Sequence, residues 1–455
     1  MSVLFRREPS NSGGSGGQRP AQRAPVERPT AAQLDEIGKI VEQRLVTAEF
    51  QPIVRIGTGE TVGFESFARG PANSSLATPQ AMFRAAAAAG KAAELDLIAA
   101  NAAFTAVRFS PQRTDLTFFL NTNPAGLVTP QPRYQELFDA AVTALADLRV
   151  VIELPEQALL SDPLSTITAA RWLRASGARI AIDNVGSLRG LALIPFLRPE
   201  IIKLSPTLVT SPVQRVAEVI NAVVSYTERH GGLVVAQGIE QDGHARSAIG
   251  MGAALGQGWL FGHPMTVPYI GEDSTCEPLD IRAVQDLVEQ DLTPYEVLAA
   301  DRAPTRIDEA MFNAFATHLM DIAEARTEPF VMVISGSDSA YLGGGRSARL
   351  RALGHKASLL LLLTGDPGLV ATRDLRVVPL APEDRLRDER VLALVSPYAA
   401  SLLTARPIGD GTYDCLLSHD RSLVLRAARG LINRATEPVE PQSVPDAASA
   451  PPAAA

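Results

Sequence analysis

Cysteine is nearly absent: only Cys276 and Cys415 occur in 455 residues. A disulfide framework and a four-cysteine zinc site are thereby excluded, and a reducing cytoplasm is the expected location. The six histidines are scattered without ligand spacing. Positive charge is not in excess: 42 Lys and Arg stand against 50 Asp and Glu, a net charge of -8, so the basic footprint of a nucleic-acid binder is lacking. Long apolar runs are missing too. The most conspicuous, Leu359 to Leu363, falls far short of the ~20 residues of a membrane helix and reads as one buried strand. The first residues, Met1 to Arg7, are too polar for a signal-peptide core. Neither a nucleic-acid nor a membrane partner is expected.

What is present is a regular alternation. Short apolar runs at VGFE (62–65), TFFLN (117–121), VVIE (150–153), RIAID (179–183), IIKLS (201–205), LVVAQG (233–238) and ALGQG (254–258) are separated by stretches with helical apolar spacing. Repeated βα units of this kind predict a parallel sheet. Each run is apolar until its last residues and then presents a polar one: Glu65, Asn121, Glu153, Asp183, Lys203, Gln237 and Gln257. In a closed (β/α)8 barrel such strand ends converge at one mouth, where barrels of this type do their chemistry. The carboxylates of Glu65, Glu153 and Asp183 with the amide oxygen of Asn121 form a hard-oxygen set suited to Mg²⁺ or Mn²⁺, with the charge of Lys203 beside them.

These residues carry a specific resemblance. FQPIVRIGTGETVGFESFARG (50–70), LNTN (120–123), IELPE (152–156), IDNVGS (182–187), IKLS (202–205), VVAQGIE (234–240) and QGWLFGHP (257–264) resemble, in order and spacing, the motifs of the EAL domain family of cyclic di-GMP phosphodiesterases. The resemblance implies an EAL-type TIM-like barrel over residues 33–267. It further implies that Glu65, Asn121, Glu153 and Asp183 are metal ligands and that Arg69, Asp96 and Gln257 contact substrate. Glu156 would anchor the loop after Asp183, and Lys203 would be the active-site lysine. Three positions depart from the family pattern by exchanging an acid for a neutral group: Asn184, Ser205 and Gln237. In the family they serve the second metal and the activation of water, so at most one ion, or none, is expected here, and Gln237 cannot act as a base. The loop DNVGSLRGL (183–191) is also altered and one residue shorter than the family's. In the family it couples the metals to a dimer interface, and the resemblance allows a homodimer.

Residues 1–32 and 435–455 are low in apolar content and rich in Gly, Ser, Pro or Ala, which predicts a disordered arm and tail. Residues 268–304 read as a connector, and 305–434 as a smaller C-terminal α/β domain with a helix over Ile307 to Ala325, strands at 330–335, 357–363, 375–380, 391–396 and 412–418, and a closing helix from Leu423 to Asn433. The segments 366–406 and 413–434 resemble a DICT sensory domain. Tyr413, His419 and Asp420 read as turn and packing residues, and Gly343 to Gly345 as a plain loop ahead of an anion nest. The sequence therefore predicts a cytoplasmic signalling protein that binds cyclic di-GMP or a related nucleotide without efficient hydrolysis. A weakly active phosphodiesterase and a non-binding interaction scaffold are the alternatives, and the protein partner is not specified.

Overall fold

The computed structural model describes residues 28–108, 110, 116–124, 134–210, 214–269, 278–284, 292–336, 346–366 and 371–436. Most of the expected arm, the tail and Gly343 to Gly345 lie outside these residues. Thr30 caps the first helix, Ala31–Glu42, in a capping box with Gln33, so ordered structure begins just ahead of the expected boundary.

Among the described residues, eight strands close into a barrel: β1 (Thr47–Arg55), β2 (Thr61–Arg69), β3 (Thr117–Asn121), β4 (Val150–Pro155), β5 (Arg179–Val185), β6 (Ile201–Leu204), β7 (Leu233–Ala236) and β8 (Leu255–Gln257). The expectation of an all-parallel sheet needs one correction. β1 runs antiparallel to both β2 and β8, while the other pairs are parallel. A strand followed by a short turn, Gly57 to Glu60, has no crossover helix to reverse the chain, so it can only pair antiparallel.

Strand periodicity builds the mouth. Ile53, Val62, Phe119, Val151, Ala181, Ile201, Val235 and Leu255 form one buried cluster that plugs the barrel. Side chains alternate along a strand, so the residue two positions beyond a plug residue shares its inner face. That rule carries Phe119 to Asn121, Val151 to Glu153, Ala181 to Asp183, Ile201 to Lys203, Val235 to Gln237 and Leu255 to Gln257. On the reversed β1 the mouth residue comes first: Gln51 precedes Ile53, and the register sets Gln51 opposite Glu65. Glu65 is not at a strand end as expected, because β2 continues to Arg69.

The C-terminal domain is a seven-stranded sheet in the order β12-β11-β10-β13-β14-β15-β9. Its strands are β9 (Thr305–Asp308), β10 (Val331–Ser335), β11 (Leu359–Thr364), β12 (Arg376–Pro379), β13 (Arg390–Val395), β14 (Ala400–Gly409) and β15 (Thr412–Ser418). Two strands escaped the sequence pattern. β9 precedes the helix Glu309–Ala325, which was expected to start at Ile307, and β14 lies within the segment quoted for the DICT resemblance. The stretch read as connector contributes the helix Pro294–Ala299. Its Thr293 cap bonds the buried Glu389, which also accepts from Tyr295 N at 3.1 Å and Arg406 Nη2 at 2.8 Å.

One sheet face packs on the helices Glu309–Ala325 and Arg346–Lys356 through Phe312, Leu319, Leu350 and Leu353. The other face, with Val331, Val333 and Leu361, joins the helix Arg421–Ala435 and the barrel helices in one continuous apolar cluster. Asp420 caps that last helix, accepting from Ser422 N at 2.8 Å and Leu423 N at 3.1 Å, and Tyr413 packs on Phe312 with ring centroids 5.8 Å apart, which is the packing role expected of both. Among the described residues no helix is long and apolar enough to cross a membrane.

Candidate functional site

The plug geometry sets a buried ammonium among carboxylates. Lys203 on β6 is fully buried and its Nζ lies 2.7 Å from Glu65 Oε2, within bonding reach of Glu153 Oε1 and 3.6 Å from Asp183 Oδ1. Glu65 is further fixed by Asn121 Nδ2 at 2.9 Å and Gln257 Nε2 at 2.8 Å. Burial by itself would raise the Glu65 carboxyl, but Lys203 and the two amides hold it below the usual carboxylate range. Glu153 has no amide donors to offset its burial, and burial together with the Glu65 charge raises it well above that range despite Lys203. Asp183 is raised by burial and by Glu65, with Lys203 and Gln237 opposing. Burial disfavours the Lys203 charge, yet Glu153, Glu65 and Asp183 together lift its pKa above the usual lysine value.

The three positions expected to depart from the family pattern lie on β5, for Asn184, and directly after β6 and β7, for Ser205 and Gln237. Asn184 has φ 57, a left-handed conformation that Asn and Asp tolerate better than other side chains. Ser205 Oγ accepts from Thr207 N at 3.2 Å at the start of the helix Pro206–Thr210, so it works as a helix cap. Gln237 Nε2 donates to Asp183 Oδ1 at 2.9 Å, a bond that a glutamate could not make without a proton.

Glu156 bonds to the loop that follows Asp183. Its carboxylate accepts from Gly186 N at 3.2 Å and from Ser187 Oγ at 2.7 Å. Gly190 leaves room for this carboxylate, since a Cβ there would stand 2.3 Å from Glu156 Oε1 and displace the side chain. The loop is also gripped from the second domain: Arg189 Nη2 donates to Ala357 O at 3.0 Å and Ser358 Oγ donates to Arg189 O at 2.8 Å.

Above this layer opens a cavity of about 900 Å³, within the range of small-molecule sites. Glu65, Asn121, Asp183, Asn184, Gln237, Gln257 and Asp96 line it. Arg69 does not; it closes β2 in an ion pair with Glu49 at 2.7 Å. The sequence reading passed over Gln51, Phe67, Phe83 and Trp259, all of which face the cavity. Trp259 is 61% exposed, and its ring is tilted by 38° against that of His263 with 5.3 Å between centroids. Its sequence signal was adjacency to Gln257 at the end of the last barrel strand.

Among the described residues no three acidic, histidine or cysteine side chains stand close enough to hold an ion as they are, because Lys203 serves as their counter-ion. The donor set nevertheless fits a hard cation. Glu153 Oε2 is buried without a hydrogen-bond partner, and such an oxygen is what a cation would satisfy.

Asp96, on the helix Ala92–Val107, accepts from Asn123 N at 3.0 Å, and burial pushes its pKa up to about 7. Between about pH 4 and 7 the folded protein therefore holds a proton that the unfolded chain releases, and stability falls as pH rises through that window. Asp96→Asn should raise the melting temperature more at pH 8 than at pH 4. Equal gains at both pH values would show that Asp96 is not a buried acid.

A closed eight-stranded barrel with an acid-lined mouth and one buried lysine places the chain among the TIM-like α/β barrels. The EAL domain family matches residues 34–264, and the chain belongs to that family. The cyclic di-GMP phosphodiesterase RocR of Pseudomonas aeruginosa is 35% identical over 124 residues, covering 26% of this chain and 30% of its own. An uncharacterized protein of Azorhizobium caulinodans is 28% identical over 246 residues, covering 51% of this chain and 34% of its own. The chain thus spans about a third of the length of these curated relatives. A manganese and cyclic di-GMP complex of Klebsiella pneumoniae BlrP1 aligns at 27% identity and TM-score 0.43, covering 49% of this chain and 56% of that one.

Proposed function

We propose that the barrel mouth binds cyclic di-GMP, or a related nucleotide, without efficient hydrolysis, and that the C-terminal domain is a DICT-like sensory module whose state is read together with the mouth. The observation that carries this reading is the segregation of the substitutions. Glu65, Asn121, Glu153 and Asp183 persist on β2 to β5, whereas the neutral Asn184, Ser205 and Gln237 fall together at the ends of β5 to β7. Loss of those acids lowers the repulsion a dianionic ligand meets, and it removes the means of activating water. Family membership and the cavity volume support a nucleotide as ligand.

Glu65, Asn121, Glu153 and Asp183 would hold a single Mg²⁺ or Mn²⁺, which when bound supplies positive charge for phosphate oxygens. Lys203 keeps the carboxylates ordered beneath it. Slow hydrolysis through one ion is the second reading, favoured by the unpartnered Glu153 oxygen.

Calorimetric titration of the full chain with cyclic di-GMP, with Mg²⁺ or Mn²⁺ and with a chelator, tests the proposal. Base stacking on an exposed aromatic contributes ~1 to 3 kcal/mol, so Trp259→Ala should weaken binding by roughly fivefold to a hundredfold. Binding heat absent under every metal condition would sink the nucleotide reading and favour an interaction scaffold. Arg69→Ala should have a smaller effect than Trp259→Ala, because Arg69 is already paired with Glu49.

A further inference from the structure

The mouth residues are not all held in the same way. Glu65, Asn121 and Glu153 lie on strands β2 to β4, whose parallel register runs unbroken through the pairs Glu65 with Phe119 and Asn121 with Glu153. Asp183 and Asn184 lack that support on one side. Against β6 the ladder pairs Ile182 with Ile202 and then Val185 with Leu204, so Asp183 and Asn184 together oppose the single Lys203. A bulge of this kind re-aims side chains and gives up ladder bonds, and Asn184 takes its left-handed φ of 57 within it. Both residues line the cavity, so their placement depends on the loop that follows them.

That loop is fastened at two points. On the barrel side the Glu156 carboxylate accepts from Gly186 N at 3.2 Å, Ser187 N at 3.3 Å and Ser187 Oγ at 2.7 Å. Ser187 in turn caps the short helix Leu188–Leu191, accepting from Gly190 N at 3.4 Å. On the far side Arg189 is held twice by the second domain: its Nη2 donates to Ala357 O at 3.0 Å, and its carbonyl accepts from Ser358 Oγ at 2.8 Å.

The holder is itself well anchored. Ala357 N donates to Leu353 O at 2.8 Å and Ser358 N to Phe330 O at 2.7 Å, which ties both to the helix Arg346–Lys356 and to the residue ahead of β10. Ser358 then leads directly into β11, which is buried along its whole length. Other bonds between the domains lie away from this loop. Tyr398 Oη donates to Glu218 O at 2.7 Å, and Arg171 Nη1 donates to Asn433 Oδ1 at 3.2 Å.

We propose that Arg189 is a positioning residue for the barrel mouth: through it the chain's own second domain sets the placement of Asp183 and Asn184, with no contact to the ligand itself. The effect on binding rests on the nucleotide reading of the mouth, whereas the hold on the loop does not. Linkage makes the effect mutual, so a ligand that needs the loop in this position strengthens its attachment to the second domain by the same factor.

The test has two arms, both on the full chain. Without ligand, Arg189→Ala and Ser358→Ala each lose one bond and should speed hydrogen exchange of the amides of 184–191 by about twofold to tenfold, with β2 to β4 unchanged. Loop exchange at the wild-type rate in both variants would overturn the hold. With Mg²⁺ and cyclic di-GMP, calorimetric affinity should fall about twofold to tenfold in Arg189→Ala and recover in Arg189→Lys, which keeps a donor. Tyr398→Phe removes a bond between the domains away from the loop, so it should lower the melting temperature yet bind like the wild type. Equal affinity in Arg189→Ala and wild type, or an equal loss in Tyr398→Phe, would overturn the positioning role. A wild type that binds no nucleotide would sink the nucleotide reading instead, and the exchange arm then decides the hold by itself. Arg189 is an exposed residue, so its replacement leaves the core closed.

Discussion

Replacing Asn184 by Asp, Ser205 by Asp and Gln237 by Glu together is expected to create cyclic di-GMP hydrolysis well above that of the wild type, which on the proposed reading has none measurable. General-base help alone contributes about 10²- to 10⁴-fold, and a second ion adds activation of the attacking water and stabilisation of the leaving oxygen. The backbone is ready for all three changes. Asp tolerates the φ of 57 at position 184, Asp caps a helix as well as the serine at 205, and Glu matches Gln237 in shape. The new acids act as a unit, so single replacements should recover little. Without metal the triple variant should also be less stable than the wild type, because Glu at position 237 would face Asp183 in place of the present 2.9 Å amide bond. Adding Mn²⁺ should reverse that loss. Turnover is measured by the appearance of the linear dinucleotide. Robust turnover by the wild type, or an inactive triple variant that binds two ions, would remove the basis for reading the mouth as a receptor.

Lys203→Met is expected to be the most destabilising single change in the barrel, at about 3 to 5 kcal/mol, the usual cost of stripping the partner from a buried charge. Nothing else in the plug can take its place: the ammonium is fully buried and bridges Glu65 and Glu153. The pH dependence follows from the direction of its shift. A lysine whose folded pKa is raised contributes in full below its unfolded pKa and loses that contribution only at strongly alkaline pH, so the whole effect is present at pH 7. In the variant, Glu65, Glu153 and Asp183 can escape mutual repulsion only by taking up protons. The deficit should therefore be smaller at pH 5 than at pH 8 in urea unfolding with chelator present. A loss below about 1 kcal/mol at pH 8 would mean that the ammonium is not what balances the carboxylates.

Much of the mouth was legible because strand geometry is local. A polar residue two positions after an inward apolar one must share its face, and six of the strands announce this in sequence, from Phe119–Asn121 through Leu255–Gln257. β1 hid its contribution for a physical reason. The chain runs the other way there, so Gln51 comes before Ile53, and a search for polar residues after apolar runs passes it by. β9 was missed because it is a four-residue edge strand running straight into the helix Glu309–Ala325, and β14 because its first six residues, Ala400 to Ala405, are all buried and show no in-out alternation.

The sequence by itself determined the alternation of strands and helices and the inward polar layer, since each depends on residue type and on spacing within a few positions; the neutral residues at 184, 205 and 237 stood out only through the family resemblance. Tertiary structure alone decided which charges meet. It put Lys203 within reach of carboxylates from β2, β4 and β5, turned Arg69 aside to Glu49, and brought Trp259 to the cavity. These outcomes depend on barrel closure and on the docking of the second sheet through the helix Arg421–Ala435. Coulombic interactions fall off with distance in space and not along the chain, so a charge pattern read in one dimension cannot contain them.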